Sequence, residues 1–115
     1  MITIIPATPE MVQEYCKGPF TTQALAVMEG DKVLAIYGVY LQDGLQVIFS
    51  NISDELKRKP RYIVRAWRML LEILSKRNLP VFTFCDLSVS KADLFLLHLG
   101  FRPFNGDIWK MEGEA

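Results

Sequence analysis

The sequence predicts an α+β domain: a mixed β-sheet with helices on both faces and a central parallel strand–helix–strand unit. Three observations carry this prediction. Three strand-like runs follow one another with tight-turn residues between them, a strongly amphipathic helix precedes a short apolar run, and a capped helix ends at a glycine near residue 100. At 115 residues the chain has the length of one domain, spanning 1–115.

The first strand and helix are predicted from the positions of prolines. "MITIIPA" resembles an edge strand, which Pro6 closes. In "TPEMVQEYC", Thr8 stands at an N-cap position and Pro9 at the first helical position, so a helix of about two turns is expected.

The middle of the chain predicts an antiparallel meander. "TQALAVME" ends at Gly30-Asp31, "KVLAIYGVYL" ends at Asp43-Gly44, and "LQVIFSNIS" follows. Such pairs suit tight hairpin turns. Gly38 interrupts the second strand, where a bulge or a close backbone approach is expected.

Residues 61–77 carry the strongest helical pattern, and Pro60 marks its start. Apolar residues recur at intervals of three and four, with basic residues on the opposite face. "PVFTFCD" then reads as a buried strand, parallel to the third meander strand through a right-handed crossover. The apolar stripe comprises Ile63, Val64, Trp67, Leu70, Leu71 and Leu74.

The last helix has signals at both ends. Ser90 and Asp93 form a capping box, and Gly100 is a left-handed cap that places Phe101 to pack back on the helix. "DIWKM" supplies a final strand.

Composition excludes several classes of protein. Half of the residues are hydrophobic, and 13 basic residues balance 13 acidic ones, so no global field attracts nucleic acid or a membrane. Cys16 and Cys85 form no CxxC pair, which predicts neither a disulfide scaffold nor a metal site. The N-terminus lacks a signal-peptide pattern, and "VLAIYGVYL" is about half the length of a membrane span. A soluble protein of the cytoplasm is expected.

The order of elements, together with "A-x-x-F-x-x-x-L-G-F-R" from Ala92 to Arg102, resembles the GNAT superfamily of acyl-CoA-dependent acyltransferases. The resemblance implies a GNAT-like sheet, acetyl-CoA as cofactor and transfer of an acyl group to an amine. The family's second helix is expected to be missing from this shorter chain.

The family's phosphate-binding loop, Arg/Gln-x-x-Gly-x-Gly/Ala, matches poorly. In "LKRKPRYIVRA", Arg58 can take the first position, but Arg61 and Ile63 stand where the glycines should be, and Pro60 removes a backbone donor. An asparagine and a tyrosine common in the family are replaced by Val89 and Leu96. Leucine cannot protonate a departing thiolate.

The chain also resembles small degenerate GNAT-like proteins of tailed bacteriophages, including a podophage virion-associated group. The similar stretches are "VLAIYG", "SDELKRKPR" and "LHLGFRP". This resemblance implies a phage or prophage protein in the bacterial host cytoplasm, with association with the virion as a further expectation. It favours a structural or interaction protein with at most weak acetyl-CoA binding.

The rival interpretation is an active acetyl-CoA-dependent N-acetyltransferase. Backbone from Ser50 to Ile52 would pair with the pantetheine arm, and Glu55 or Asp86 would draw a proton from the amine through water. The residues expected to hold the phosphates are Arg58, Lys59, Arg61, Tyr62 and Ile63.

Six cations lie between residues 57 and 68, with no acid among them. They read as a solvated face, as a site for CoA-like phosphates, or as a contact for nucleic acid or an acidic partner. Nucleic acid is the least expected of these partners because the net charge is zero. His98, the only histidine, is expected on the outer side of its helix without a catalytic role. No feature selects an oligomeric state.

Overall fold

The computed structural model describes residues 1–16, 23–77, 79–85 and 91–111, with the side chain of residue 16 excepted. Within them, seven strands and four helices alternate in an α+β arrangement. The strands are β1 (Ile2–Pro6), β2 (Gln23–Glu29), β3 (Lys32–Gln42), β4 (Leu45–Ile52), β5 (Val81–Phe84), β6 (Phe101–Asn105) and β7 (Ile108–Met111); the helices are α1 (Pro9–Cys16), α2 (Asp54–Lys57), α3 (Pro60–Ser75) and α4 (Ala92–Leu99).

The strands form one mixed sheet in the order β1-β2-β3-β4-β5-β7-β6. All neighbours are antiparallel except β4 and β5, which are parallel and joined by α3. The predicted edge strand, meander and parallel unit are therefore confirmed. The β6 strand was not predicted, because Pro103 and the exposed residues around it give no strand pattern.

The turns behave as predicted, but the bulge does not. Asp43 and Gly44 both have positive φ, 54° and 78°, as a two-residue type I′ hairpin requires. The bulge expected at Gly38 was wrong, because Gly38 pairs in register with both neighbouring strands. The irregularity lies at Leu34. The pairing of β3 with β2 passes from Val33 to Ala35 and skips Leu34, whose side chain therefore enters the same core as that of Ala35.

Helices cover both faces of the sheet. On one face Val12 of α1 packs against Ala24, Ala26 and Ile36. The Thr8 hydroxyl accepts a hydrogen bond from the Met11 amide at 3.2 Å, which confirms the predicted cap. On the other face α3 and α4 pack over the centre of the sheet.

The short helix α2 was not predicted. Its cap is Ser53, whose hydroxyl accepts a hydrogen bond from the Leu56 amide at 3.2 Å, and Leu56 is fully buried. The α3 helix starts at Pro60 and ends at Ser75, two residues short of the predicted end. Of the predicted stripe, Trp67, Leu70 and Leu74 are buried, while the other three are half-buried.

The α4 helix begins at Ala92, and its N-cap residue is Lys91, one residue after the predicted cap. Ser90 itself lies outside the described residues. Gly100 ends the helix with φ 109°, which confirms the left-handed cap. A Cβ at Gly100 would also lie 3.2 Å from the sulfur of Met111. The glycine therefore serves the cap and the close approach of β7 together.

Trp67 joins the layers on the α3 face. Its ring meets Tyr37 of the sheet, Phe95 of α4 and Phe101 of β6 edge-to-face, with centroid distances of 6.0, 6.2 and 6.0 Å. Aromatic pairs in this geometry add attraction to the area that they bury. Phe101, predicted to pack back on the last helix, is fully buried in the same core and meets this ring of α3.

Trp67→Ala should lower the free energy of unfolding by about 3–5 kcal/mol, because it removes a buried ring and leaves a cavity among three others. The measurement is urea denaturation followed by circular dichroism. Met69→Ala on the solvent side of the same helix, where the side chain is 37% exposed, should change stability by only about 0.5 kcal/mol. Equal losses in the two variants would contradict the role given to Trp67.

Candidate functional site

The parallel strands β4 and β5 part soon after they meet. They pair only from Gln46–Ile48 to Val81–Thr83, whereas β4 continues beside β3 as far as Ile52. At the point of parting the buried Thr83 hydroxyl donates to the Ile48 carbonyl at 3.1 Å. From Phe49 to Ile52, the β4 edge has no strand partner on the β5 side within the described residues. Alternate backbone N–H and C=O groups along that edge are free to pair with an extended ligand.

A cleft of about 760 Å³ occupies the space between the parted strands. This volume is typical of small-molecule sites, which are apolar with a few polar groups. The strand β4 gives one wall, the start of α3 and α4 give the others, and the end of β5 lies between. The lining residues are Ile48, Phe49, Ser50, Asn51, Ile52, Lys57, Pro60, Ile63, Val64, Trp67, Thr83, Phe84, Cys85, Lys91, Ala92, Phe95 and Leu96.

The charged side chains that line the cleft, among described residues, are both cationic. Lys57 stands on α2 and Lys91 at the start of α4. Lys57 forms an exposed ion pair with Asp54 at 3.6 Å, which solvent weakens. Lys91 holds a left-handed backbone conformation with φ 66°, unusual for a residue with a side chain. The charge at the cleft therefore favours an anionic ligand.

The predicted cofactor residues separate into two groups. Ser50, Ile52 and Ile63 line the cleft. Four more do not line it: Arg58 and Lys59 lie on the connection from α2 to α3, and Arg61 and Tyr62 lie in the first turn of α3. The residues predicted to contact the pantetheine arm thus lie together at the cleft, and the cations predicted to hold the phosphates lie beside it.

Few backbone donors are available at the start of α3. Pro60 has no N–H, and the Tyr62 amide already donates to the Lys59 carbonyl at 3.1 Å. Lys59 in turn donates to the Leu56 carbonyl at 2.8 Å. Among the first-turn amides, that of Arg61 is left for a ligand. A phosphate group would therefore depend on side-chain cations more than on a backbone cradle.

Of the two predicted proton acceptors, the described one, Glu55, is not assembled with this cleft. Glu55 does not line it and pairs instead with Lys32, with 2.6 Å between Oε1 and Nζ. That hydrogen bond, followed by the attraction of the Lys32 charge, holds the pKa of Glu55 below its usual value. Asp86 lies outside the described residues. The geometry gives Glu55 no support as a base.

Leu96 faces the cleft from α4 and belongs to the core around Trp67. It is 5% exposed, which agrees with the prediction that it is a core residue. His98 lies on the outer side of α4 as expected, where its Nε2 is 3.4 Å from an Arg68 guanidinium nitrogen. Sequence reasoning missed Lys91, because no motif includes it and only the fold brings it to the same cleft as Lys57.

The described residues show neither a metal site nor a membrane span. They contain no group of three His, Cys, Asp or Glu side chains placed to hold an ion. None of their helices is long and apolar enough to cross a bilayer.

The Lys32–Glu55 pair should stabilise the fold only while both groups are charged. The pKa of Glu55 is lowered and that of Lys32 is raised by their contact. The carboxylate contribution is present above the unfolded pKa near 4.5 and is lost as the pH falls through the lower folded value. The lysine contribution is lost only as the pH rises through a folded pKa above 10.5.

Glu55→Gln should therefore lower the melting temperature slightly at pH 7 and by less at pH 2, because the carboxylate contribution is lost as the pH falls. Scanning calorimetry at both pH values measures this. Asp43→Asn, in an exposed turn without an ion pair among the described residues, is the control for removal of a surface carboxylate. An equal effect of Glu55→Gln at both pH values would show that the ion pair is not its cause.

No protein-family model matches the sequence, and no curated protein matches it. Two solved structures are similar to the chain. The crystal structure of a KacTA–DNA complex aligns over 96% of this chain and 92% of that chain, with a TM-score of 0.61 and 13% identity. The solution structure of the putative N-acetyl transferase YhhK from E. coli bound to coenzyme A aligns over 97% and 99%, with a TM-score of 0.56 and 16% identity.

At such low identity the likeness is one of fold. The alignment with the putative N-acetyl transferase covers almost the whole chain, and the mixed seven-stranded sheet with its parallel β4–β5 pair agrees with that fold. The fold of this chain is therefore GNAT-like.

Proposed function

We propose that this protein binds coenzyme A or acetyl-CoA weakly in the cleft between β4 and β5 and acts as a structural or interaction protein. The observation that carries the proposal is the unpaired β4 edge beside an apolar cleft. A pantetheine arm is an extended chain with two amides, and such a chain can pair with a strand edge. The similar structure of YhhK is bound to coenzyme A.

The residues present fit such a ligand unevenly. Backbone from Ser50 to Ile52 would pair with the pantetheine arm, and the aliphatic Ile63 would contact it within the cleft. Arg58 and Lys59 would hold the phosphates through their side chains, since the amides nearby are partly engaged. Bound acetyl-CoA would supply an activated thioester, whose acetyl group an amine could take.

The chemistry of transfer is poorly supported by the described residues. No carboxylate or histidine among them lines the cleft to accept the amine proton, and Leu96 has no proton to give the thiolate. Because Leu96 is buried in the core, packing alone explains a leucine at this position, and no catalytic role is needed for it. These features favour a fold kept for shape and binding.

The alternative is an active acetyl-CoA-dependent N-acetyltransferase, and one observation favours it. Protein interiors fill to high density, so a disused cleft would be expected to close with large side chains. Here it stays open at about 760 Å³. In this alternative the amine attacks the thioester carbonyl, its proton passes to water or to Asp86, and the thiolate leaves with a proton from solvent.

Release of free thiol from acetyl-CoA separates the two functions. A panel of primary amines, including a polyamine, an aminoglycoside and a lysine peptide, should give no release above that of the protein-free mixture. Amine-dependent release by the parent protein, lost on filling the cleft, would establish the transferase and overturn the structural role.

The biological setting belongs to the same proposal. The sequence resemblance to degenerate phage proteins supports a phage or prophage origin, action in the bacterial host cytoplasm and association with the virion. Immunodetection of the protein in purified particles tests the last of these. A protein confined to the host lysate would contradict it.

Ala92→Trp should abolish binding of coenzyme A, because Ala92 is half-buried on the cleft wall and an indole there would occupy the space. Calorimetry should detect a Kd of about 1 mM or tighter for the parent, equivalent to about −4 kcal/mol. Leu94→Trp is the matched control, because Leu94 lies on the same helix, is 57% exposed and does not line the cleft. Circular dichroism and urea denaturation verify that both variants fold.

Arg58→Ala with Arg61→Ala should weaken the same binding about tenfold or more, since hydrogen bonds to charged groups contribute about 1.5–3 kcal/mol each. Binding unchanged in this variant would place the phosphates elsewhere. No heat from the folded parent at millimolar ligand would overturn the binding proposal itself.

A further inference from the structure

The solvent side of α3 carries a row of arginines outside the cleft. Arg61, Arg65 and Arg68 are all exposed, and none of them lines the cleft. Their spacing of four and three residues places them on one face, about 6 and 4.5 Å apart along the axis. We name these three residues, with His98 of α4, the arginine face.

Neighbouring side chains hold the arginine face in place. The guanidinium carbons of Arg61 and Arg65 lie 5.0 and 5.6 Å from the centre of the Tyr62 ring, so one ring contacts both cations. Arg68 lies 3.4 Å from the Nε2 of His98, which joins α4 to the row. The cations are thus arranged by aromatic contacts and not by acids.

Among the described residues, no ion pair includes this row. The ion pairs of the described residues are Lys32–Glu55 and Lys57–Asp54, and neither includes the arginine face. Glu72 comes one turn after Arg68 and ends the row. Like charges one turn apart destabilise a helix, and cations in its first turns oppose the helix dipole. A bound polyanion would reverse both effects.

The chemistry of the row favours phosphate over an acidic protein. Guanidinium groups form bidentate hydrogen bonds with phosphate, and an array of them suits a repeating polyanion. A protein interface needs a buried apolar centre, whereas Met69 is the one large apolar side chain that α3 exposes by more than a third. We infer that the arginine face binds the sugar–phosphate backbone of a nucleic acid.

This inference does not depend on the proposed binding of coenzyme A, because it rests mainly on Arg65 and Arg68 on the solvent side of α3. Arg61, at the start of the helix, is the one residue that both proposals use. It also revises the expectation drawn from zero net charge. That charge sums over the whole surface, whereas the phosphates of a strand contact only the local row. Binding should then be weak, independent of base sequence and steeply dependent on salt.

The test uses fluorescence anisotropy with a labelled 20-base-pair DNA duplex of arbitrary sequence, from 25 to 200 mM salt. Arg65→Gln with Arg68→Gln removes two charges from the row. Lys76→Gln with Lys110→Gln removes two charges from elsewhere and is the matched control. Urea denaturation verifies the fold of each variant.

The parent should bind with a logarithmic salt slope of about −2 to −3, as expected for three phosphate contacts. The row variant should bind about tenfold more weakly at 25 mM salt, with a slope smaller by about 2. The control variant should stay within about twofold of the parent, and coenzyme A binding should be the same in all three.

Three results would overturn the inference. One is no binding of the duplex at 25 mM salt by the folded parent. Another is an equal loss of affinity in the row and control variants, which would show a diffuse electrostatic effect. The third is tighter binding of an acidic peptide than of the duplex, which would assign the surface to a protein partner beside the exposed Leu94 and Leu97.

Discussion

The parting of β4 and β5 is the feature on which the rest of the site depends. Parallel pairing ends after three residue pairs, and at that point the Thr83 hydroxyl donates a hydrogen bond to the carbonyl of Ile48. Packing keeps the strands apart beyond it. Trp67 contacts the sheet through Tyr37 and contacts α4 through Phe95, so both helices are fixed on either side of the opening. The open cleft is thus a consequence of how the core packs.

The same packing explains how a GNAT-like fold can be kept without side chains that would carry out acyl transfer. Leu96 serves the core and the cleft wall together, and a phenol in its place would have to fit among buried rings. Glu55 is held by Lys32, which keeps its carboxylate charged and away from the opening. The Glu55 carboxylate, which could accept a proton, is therefore used for stability, while the β4 edge has no strand partner among the described residues.

The cations between residues 57 and 68 lie on two different surfaces of the protein. The short helix α2 and the start of α3 bring Lys57 to the cleft, whereas Arg65 and Arg68 point along the solvent side of α3. The sequence presents them as one cluster, and the helix geometry divides them. A ligand in the cleft and a polyanion on the helix would therefore meet different side chains except Arg61, which stands between the two surfaces.

Local patterns predicted most of the fold. The hairpin turns, the Thr8 cap, the amphipathic α3 and the Gly100 cap each depend on residues close in sequence, and all four are confirmed. The bulge at Leu34 was missed because it depends on packing in the core. It lets the side chains of both Leu34 and Ala35 enter the same core. The β6 strand was missed because its pairing with β7 overrides a proline and an exposed sequence.

The candidate site could be predicted only in part. The β4 segment and Ile63 were found through the family resemblance, and the structure places both at the cleft. Lys91 was not found, because it lies far from Lys57 in sequence and comes near it only through the crossover of the chain. The displacement of Glu55 from the cleft depends on its contact with Lys32, 23 residues away, which no local pattern reveals.

Amide chemical shifts of the ¹⁵N-labelled protein during titration with coenzyme A test the central claim most directly. The account predicts saturable changes at residues 49–52 of β4 and at Arg61 and Ile63, with the Tyr62 amide changing less because it is already bonded. The residues of β1 and β2, on the far side of the sheet, should not respond. Changes spread evenly over the chain, or none at millimolar ligand, would contradict a binding cleft between β4 and β5.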